Sequence, residues 1–179
     1  PTAANPRLAL IGLHLAKKDP KKAVAAAQDA LAALPDRPDI LDAAGQAQRA
    51  DGNNTQALVT YGKLATLQPL SPVPHLHLAE IQLTLKDKAA AIASLRKALE
   101  LKHDFLDAQR GLIVVYLDDG KTKEASAMVK EIQEQRPKEA IGLLLEGDIA
   151  LHNKAPADAI GAYRRALKLA PGSTELALK

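Results

Sequence analysis

The 179-residue chain carries 24 Lys and Arg against 21 Asp and Glu, a formal net charge of +3, with 47% hydrophobic but only 2% aromatic residues. It contains no Cys, which excludes a disulfide framework, a thiolate metal site and a cysteine nucleophile. No run reaches the roughly 18 consecutive apolar residues of a membrane span, and mixed charge with almost no rings to stack bases argues against a nucleic-acid surface.

Ala and Leu dominate, with Lys, Gln and Glu beside them, a mixture that favours helix because these side chains lose little rotamer freedom there. Pro1 to Asn5 hold neither the basic nor the apolar region of a secretion signal. A chain opening on Pro1 without Met reads as an excised piece of a longer protein.

Aligned with itself, the chain repeats every 34 residues without insertion or deletion, in blocks 4–37, 38–71, 72–105, 106–139 and 140–173. Each block predicts two helices, A and B, of about a dozen residues with a 3.6-residue apolar period. In the first block Pro6 opens helix A, Asp19-Pro20 marks the turn, and helix B closes before Pro35. In the second, Asp36 precedes helix A as a cap, Gly52-Asn53-Asn54 turns the chain, and Pro69 follows helix B. The third opens after Ser71, again a cap, with Pro74 in its first turn; Lys86-Asp87 is the turn, and the helical period runs through Leu78, Ile81 and Leu85 and then through Ala91, Leu95, Ala98 and Leu99. The fourth turns at Gly120 and ends at Pro137; the fifth turns at Asn153-Lys154, restarts on Pro156 and ends at Pro171. Ser173 and residues 174–179 read as the cap and start of a sixth helix A, so the chain is expected to be a segment of a longer array.

Four columns recur through the blocks. Ala23, Ala57, Ala91, Ala125 and Ala159 are invariant; Ala30, Leu64, Ala98, Ile132 and Ala166 follow seven residues on. Ile11, Gly45, Ala79, Ile113 and Gly147 lie twelve before the Ala column, and Pro35, Pro69, His103, Pro137 and Pro171 twelve after. In these columns the chain resembles the tetratricopeptide repeat (TPR) family across five copies. Departures are the family's aromatic near the start of helix A, here Arg7, Leu41, His75, Gln109 and Leu143, and Glu146 in an otherwise apolar column. The resemblance implies an all-α, right-handed superhelical solenoid, with helix A on the concave side and helix B on the convex side.

Nothing in the chain predicts an enzyme, cofactor or metal site. His75 and His77 are two apart, wrong for a helical ligand pair, and His14, His103 and His152 fall at packing or helix-end positions. No serine sits in a Gly-x-Ser-x-Gly elbow, and Asp118-Asp119 precedes Gly120 as a solvated turn.

The resemblance implies that a ligand meets five helix A columns. Here they hold Asp39, Asp42, Gln46, Arg49, Val73, Leu76, Glu80, Leu83, Asp107, Arg110, Val114, Leu117, Ile141, Leu144 and Asp148. Six acids, Asp118 included, against two bases make these columns net −4 on a molecule of net +3. The expectation is an interaction scaffold whose groove takes an apolar partner segment with basic flanks. The Lys and Arg of the chaperone-tail clamp are absent in every frame. The alternatives are an architectural spacer, a segment that self-associates end to end, or the regulatory domain of a larger enzyme. In style the repeats resemble bacterial TPR arrays of exopolysaccharide and exosortase (PEP-CTERM) secretion systems, which implies the periplasm in preference to the cytoplasm.

Overall fold

A computed structural model describes residues 3–171, and among them are ten helices: α1 (Ala4–Ala16), α2 (Pro20–Ala33), α3 (Pro38–Ala50), α4 (Asn54–Leu67), α5 (Val73–Thr84), α6 (Lys88–Leu101), α7 (Leu106–Asp118), α8 (Thr122–Gln135), α9 (Ile141–His152) and α10 (Pro156–Leu169). The even-numbered helices, the B helices, each run 14 residues and start 34 apart. Ser173 and residues 174–179, read above as a sixth helix start, lie outside the described residues. The chain divides into two compact units between Lys102 and His103, so α1–α6 form one and α7–α10 the other.

Within each unit, helices pack in sequence order: α1 on α2, α2 on α3, α3 on α4, α4 on α5 and α5 on α6, then α7 on α8, α8 on α9 and α9 on α10; α1 also packs on α3. The invariant Ala column is sealed, with Ala23, Ala57, Ala91 and Ala125 fully buried and Ala159 at 1% exposure. A single methyl at each such site lets helix A and helix B approach closely, and a larger group would overpack the contact. Around them Ile11, Ala27, Ile40 and Ala44 join one apolar cluster, and Leu41, Tyr61, Leu64 and Ile81 the next.

A second pair of columns keeps volume nearly constant in four of the five repeats. Where helix A offers Ile11, Gly45, Ala79, Ile113 and Gly147, helix B at sixteen residues further on offers Ala27, Tyr61, Leu95, Val129 and Tyr163, and every one is buried. In four of the five pairs a large residue on one helix meets a small one on the other; Ile113 with Val129 is the exception. Contact is closest at the glycines: a Cβ on Gly45 would lie 2.5 Å from the Tyr61 ring, and one on Gly147 2.3 Å from the Tyr163 ring. The two tyrosines thus use the space of a missing side chain.

Every A helix ends alike. The residue at 18, 52, 86, 120 or 154 is left-handed, with φ of 56° at Lys18, 78° at Gly52, 63° at Lys86, 70° at Gly120 and 58° at Lys154. The amide of the next residue donates back to the last turn of helix A, as in Asp19 N–H to the His14 carbonyl at 3.0 Å and Asp87 N–H to the Gln82 carbonyl at 2.8 Å. This is the Schellman arrangement. Three lysines tolerate a conformation that disfavours a Cβ by about 1–2 kcal/mol.

The caps differ from those expected. Asp36 and Ser71 do not cap; each lies one residue before the N-cap, which is Arg37 for α3 and Pro72 for α5, and neither helix has a side-chain cap. The Asp36 carboxylate instead meets Lys63 Nζ at 2.8 Å. Capping occurs on the B helices, where Asp19, Asn53 and Asp87 accept from the amides of Lys22, Gln56 and Ala90. Gln109, in the column of the missing aromatic, is fully buried. Its amide nitrogen donates to Gln135 Oε1 at 2.8 Å, and its oxygen accepts from Arg136, so its burial leaves no polar atom unpaired.

Gly45→Ala should lower stability by about 1–3 kcal/mol through overpacking, although Ala is the better helix former. Adding Tyr61→Leu recreates the pairing of Ala79 with Leu95 and should recover most of that loss; purely additive urea-unfolding losses would show that the two side chains do not share space. Lys86→Gly should stabilise by about 1 kcal/mol, since it removes the left-handed penalty, while Gly120→Ala should destabilise; equal and small shifts in both would contradict the C-terminal geometry.

Candidate functional site

In the first unit, α3 and α5 are joined through side chains. Arg49, in the last turn of α3, forms an ion pair with Glu80 of α5. Glu80 Oε2 is also 3.3 Å from His77 Nδ1, and the His77 ring lies against Tyr61 with centroids 4.8 Å apart. Nε2 of the same ring stands 3.7 Å from Asp42 Oδ1, beyond hydrogen-bond reach, and that buried oxygen has no hydrogen-bond partner. The other Asp42 oxygen accepts from Gln46 Nε2 at 2.9 Å, and the Tyr61 hydroxyl donates to the Asp42 carbonyl at 3.5 Å. The hydrogen bond with His77, assisted by the Arg49 charge, outweighs partial burial and holds the Glu80 carboxyl below its ordinary range. Burial, reinforced by Asp42, raises the Tyr61 hydroxyl far above its usual value, which keeps it a neutral donor.

Beside this network, the C-terminal ends of α2 and α4 and the N-terminal ends of α3 and α5 enclose an open groove of about 930 Å³. Leu34, Leu64 and Val73 give it apolar walls, and Asp36, Asp39 and Asp42 give it carboxylates. Val73 is 41% exposed; Leu70, in the turn between lining residues Gln68 and Ser71, is 84% exposed. The column mates of Leu70 are Asp36, Asp104, Lys138 and Gly172, so a large apolar side chain stands where three of the other four repeats carry charge.

Two of the three carboxylates already have a cationic partner. Arg37 Nε lies 2.9 Å and 3.1 Å from the two oxygens of Asp39, and the hydrogen bond from Arg37 holds that carboxyl below its ordinary range. Lys63 forms the corresponding ion pair with Asp36. Arg37, Lys63, His77 and Tyr61 lie outside the five helix A columns, so a column count of charge does not find them. Their signal was spatial: Lys63 is 27 residues from Asp36 in sequence.

Of the expected groove residues, Asp39, Asp42, Gln46, Arg49, Val73, Leu76, Glu80 and Leu83 lie together on α3 and α5 of the first unit, with Leu76 and Leu83 half-buried. Asp107, Arg110, Val114, Leu117, Ile141, Leu144 and Asp148 lie on α7 and α9 of the second. Val114 is 62% exposed, while Leu117 and Ile141 are half-buried. Leu144 needs correction: at 6% exposure it packs with Ala159, Tyr163 and Ala166 in the core between α9 and α10. Asp148 Oδ1 accepts from the Tyr163 hydroxyl at 2.6 Å. Among the described residues, no group of three His, Asp or Glu side chains is placed to hold a metal ion, and no helix is long and apolar enough to cross a membrane.

Two profiles described as tetratricopeptide repeat match the sequence, over residues 74–105 and 110–174, together more than half of the chain. No protein of curated function matches it by sequence. Solved structures do. TTC0263, a thermophilic TPR protein in Thermus thermophilus, is similar with a TM-score of 0.72 and 20% identity over 98% of this chain and 96% of that one. MamA is similar with a TM-score of 0.71 and 20% identity, over 93% and 91%. YrrB, a TPR protein with an unusual peptide-binding site, has a TM-score of 0.64 and 19% identity, over 99% and 91%.

With both side chains of the Arg49–Glu80 pair 41% exposed, solvent screening limits its worth to under about 1 kcal/mol. A carboxyl whose folded pKa is depressed stabilises above its unfolded value, about 4.3 for Glu, and loses that contribution as pH falls through the folded value. Glu80→Gln should therefore melt below the parent protein at neutral pH and converge with it as pH falls through the depressed folded value. A gap that persists unchanged in acid would assign the loss to packing.

Proposed function

Because the chain belongs to the tetratricopeptide repeat family, we propose that it is a non-enzymatic interaction scaffold that seats a partner segment along α3 and α5 of the first unit. The observation that carries this reading is the open groove of about 930 Å³ whose lining joins Val73 and Leu64 to Asp39 and Asp42. An exposed apolar strip rimmed by charge marks an interface. The unusual peptide-binding site of the similarly folded YrrB supports a peptide as the occupant here.

The partner's chemistry follows from the lining. Aliphatic anchors would fill the space beside Val73 and Leu70 and supply most of the affinity, while Lys or Arg flanks would meet Asp39 and Asp42. Since Arg37 already holds Asp39, an incoming base exchanges one ion pair for another. Charge therefore sets orientation and association rate more than affinity.

A displayed library of random peptides tests this. Sequences enriched on the chain should combine aliphatic anchors with Lys or Arg. Val73→Asp should raise the dissociation rate of an enriched peptide at least about tenfold, and Asp39→Lys should slow association and flatten its salt dependence. Enriched peptides that bind both variants as well as the parent would place binding elsewhere.

A further inference from the structure

Where α8, α9 and α10 come together in the second unit, Ser126, Gln133 and Glu146 line a cavity of about 390 Å³. All three break the pattern of the repeat. In every other block their columns are apolar, and Val24, Leu31 and Ala44 occupy them where α2 meets α3. Polar side chains at an inner junction cost free energy that aliphatic ones would contribute. Packing alone does not call for three of them in one place. A small-molecule site does, being a concave space of about 300–1,000 Å³ with apolar walls and a few convergent polar groups.

The polar groups around this cavity are not equivalent. Gln133 Nε2 donates to Glu146 Oε2 at 2.8 Å and to the Gly142 carbonyl at 3.3 Å, and the Arg165 guanidinium donates to Glu146 Oε1 at 2.5 Å. The Glu146 carboxylate is therefore engaged on both oxygens, and Arg165 matches its charge. Lys130, the other cation of the lining, and the Ser126 hydroxyl have no ion-pair or hydrogen-bond partner among the described residues. One positive charge and one hydroxyl are left over, beside the buried aliphatic side chains of Val129 and Ile149. Lys130 and Arg165 are exposed, as are Gln28 and Arg96, and Lys63 and Lys97, in the same two columns of inner repeats. The mouth of the cavity thus belongs to a face that neighbouring repeats leave open.

We propose that this cavity binds a short-chain aliphatic carboxylate, its oxygens held by Lys130 Nζ and the Ser126 hydroxyl and its alkyl chain laid against Val129 and Ile149. The class follows from what the lining leaves over. One unmatched cation calls for one negative charge, and a hydroxyl donor suits a carboxylate oxygen. Two aliphatic side chains call for methylenes, where a phosphate or a sugar would bring more oxygens in need of partners. The volume fits a small molecule and not a polypeptide segment. The site shares no residue with the groove along α3 and α5, so it goes beyond the scaffold reading and stands without it.

Amide NMR of the isotope-labelled 179-residue chain, titrated with sodium butyrate against sodium chloride at equal ionic strength, tests this. Butyrate should shift amides of α8, α9 and α10 and saturate in roughly the millimolar range. Acetate, two methylenes shorter, should bind about tenfold more weakly. Lys130→Gln, at an exposed position, should weaken butyrate at least about tenfold, because a hydrogen bond to a charged group is lost. Ser126→Val, Gln133→Leu and Glu146→Ala combined copy the α2–α3 junction; that variant should melt above the parent protein and show no butyrate shifts in these helices. Shifts that chloride reproduces, that scatter over the lysines of the whole chain, or that persist undiminished in Lys130→Gln or in the triple variant overturn the proposal. Acetate binding as well as butyrate overturns it too, since a bare cation would then be the whole site.

Discussion

Everything in this fold depends on one contact, the close approach of helix A to helix B through a single methyl group. Ala23, Ala57, Ala91 and Ala125 are wholly enclosed, so the distance between the paired helices is set by the smallest side chain that still fills space. Once that distance is set, large residues in one column call for small ones in the other, and four of the five repeats obey: Gly45 accepts the Tyr61 ring and Ala79 accompanies Leu95. Because interiors are packed to crystal-like density, an error of one methylene in these columns is felt by the next helix pair as well. A period of 34 without insertion is the sequence record of that constraint.

Much of this was legible from residue types alone. The helix count, the turns, the sealed Ala column and the Pro two residues beyond most B helices follow from period and propensity. Leu34, Gln68, Lys102, Arg136 and Ala170 all leave the helical region, yet Lys102 does so before His103, where no Pro forces it. The repeat's own packing therefore ends the helix, and Pro only reinforces it. Lys18, Lys86 and Lys154 were harder, because nothing in a lysine announces a left-handed backbone; only its place in a column shared with Gly52 and Gly120 does. The caps were misplaced by one residue at Asp36 and Ser71, since propensity names capping side chains but not the register of the first turn. The matched volumes of columns sixteen residues apart were present in the sequence and needed only to be compared.

The candidate site was legible in position and not in electrostatics. Counting charge by column treats Asp39, Asp42 and Glu80 as free acids. In the fold Arg37, Arg49 and Lys63 lie against Asp39, Glu80 and Asp36, and His77 stands between Glu80 and Asp42. Exposed pairs of this kind contribute little to stability, but they change what a ligand meets. With all but Asp42 matched by a cation in this way, the wall's own field is weak, and in the proposed scaffold shape and the apolar anchors Val73 and Leu70 would set the selection.

The inner junctions are not equal in kind, and this bears on how the chain distributes its binding surfaces. Where α2 meets α3 the columns are aliphatic; where α8 meets α9 they hold Ser126, Gln133 and Glu146 around a cavity of about 390 Å³, with Arg165 of α10 reaching Glu146 at 2.5 Å. In a repeat array stability is close to a sum of repeat terms and nearest-neighbour terms, so the polar junction adds the smaller hydrophobic share.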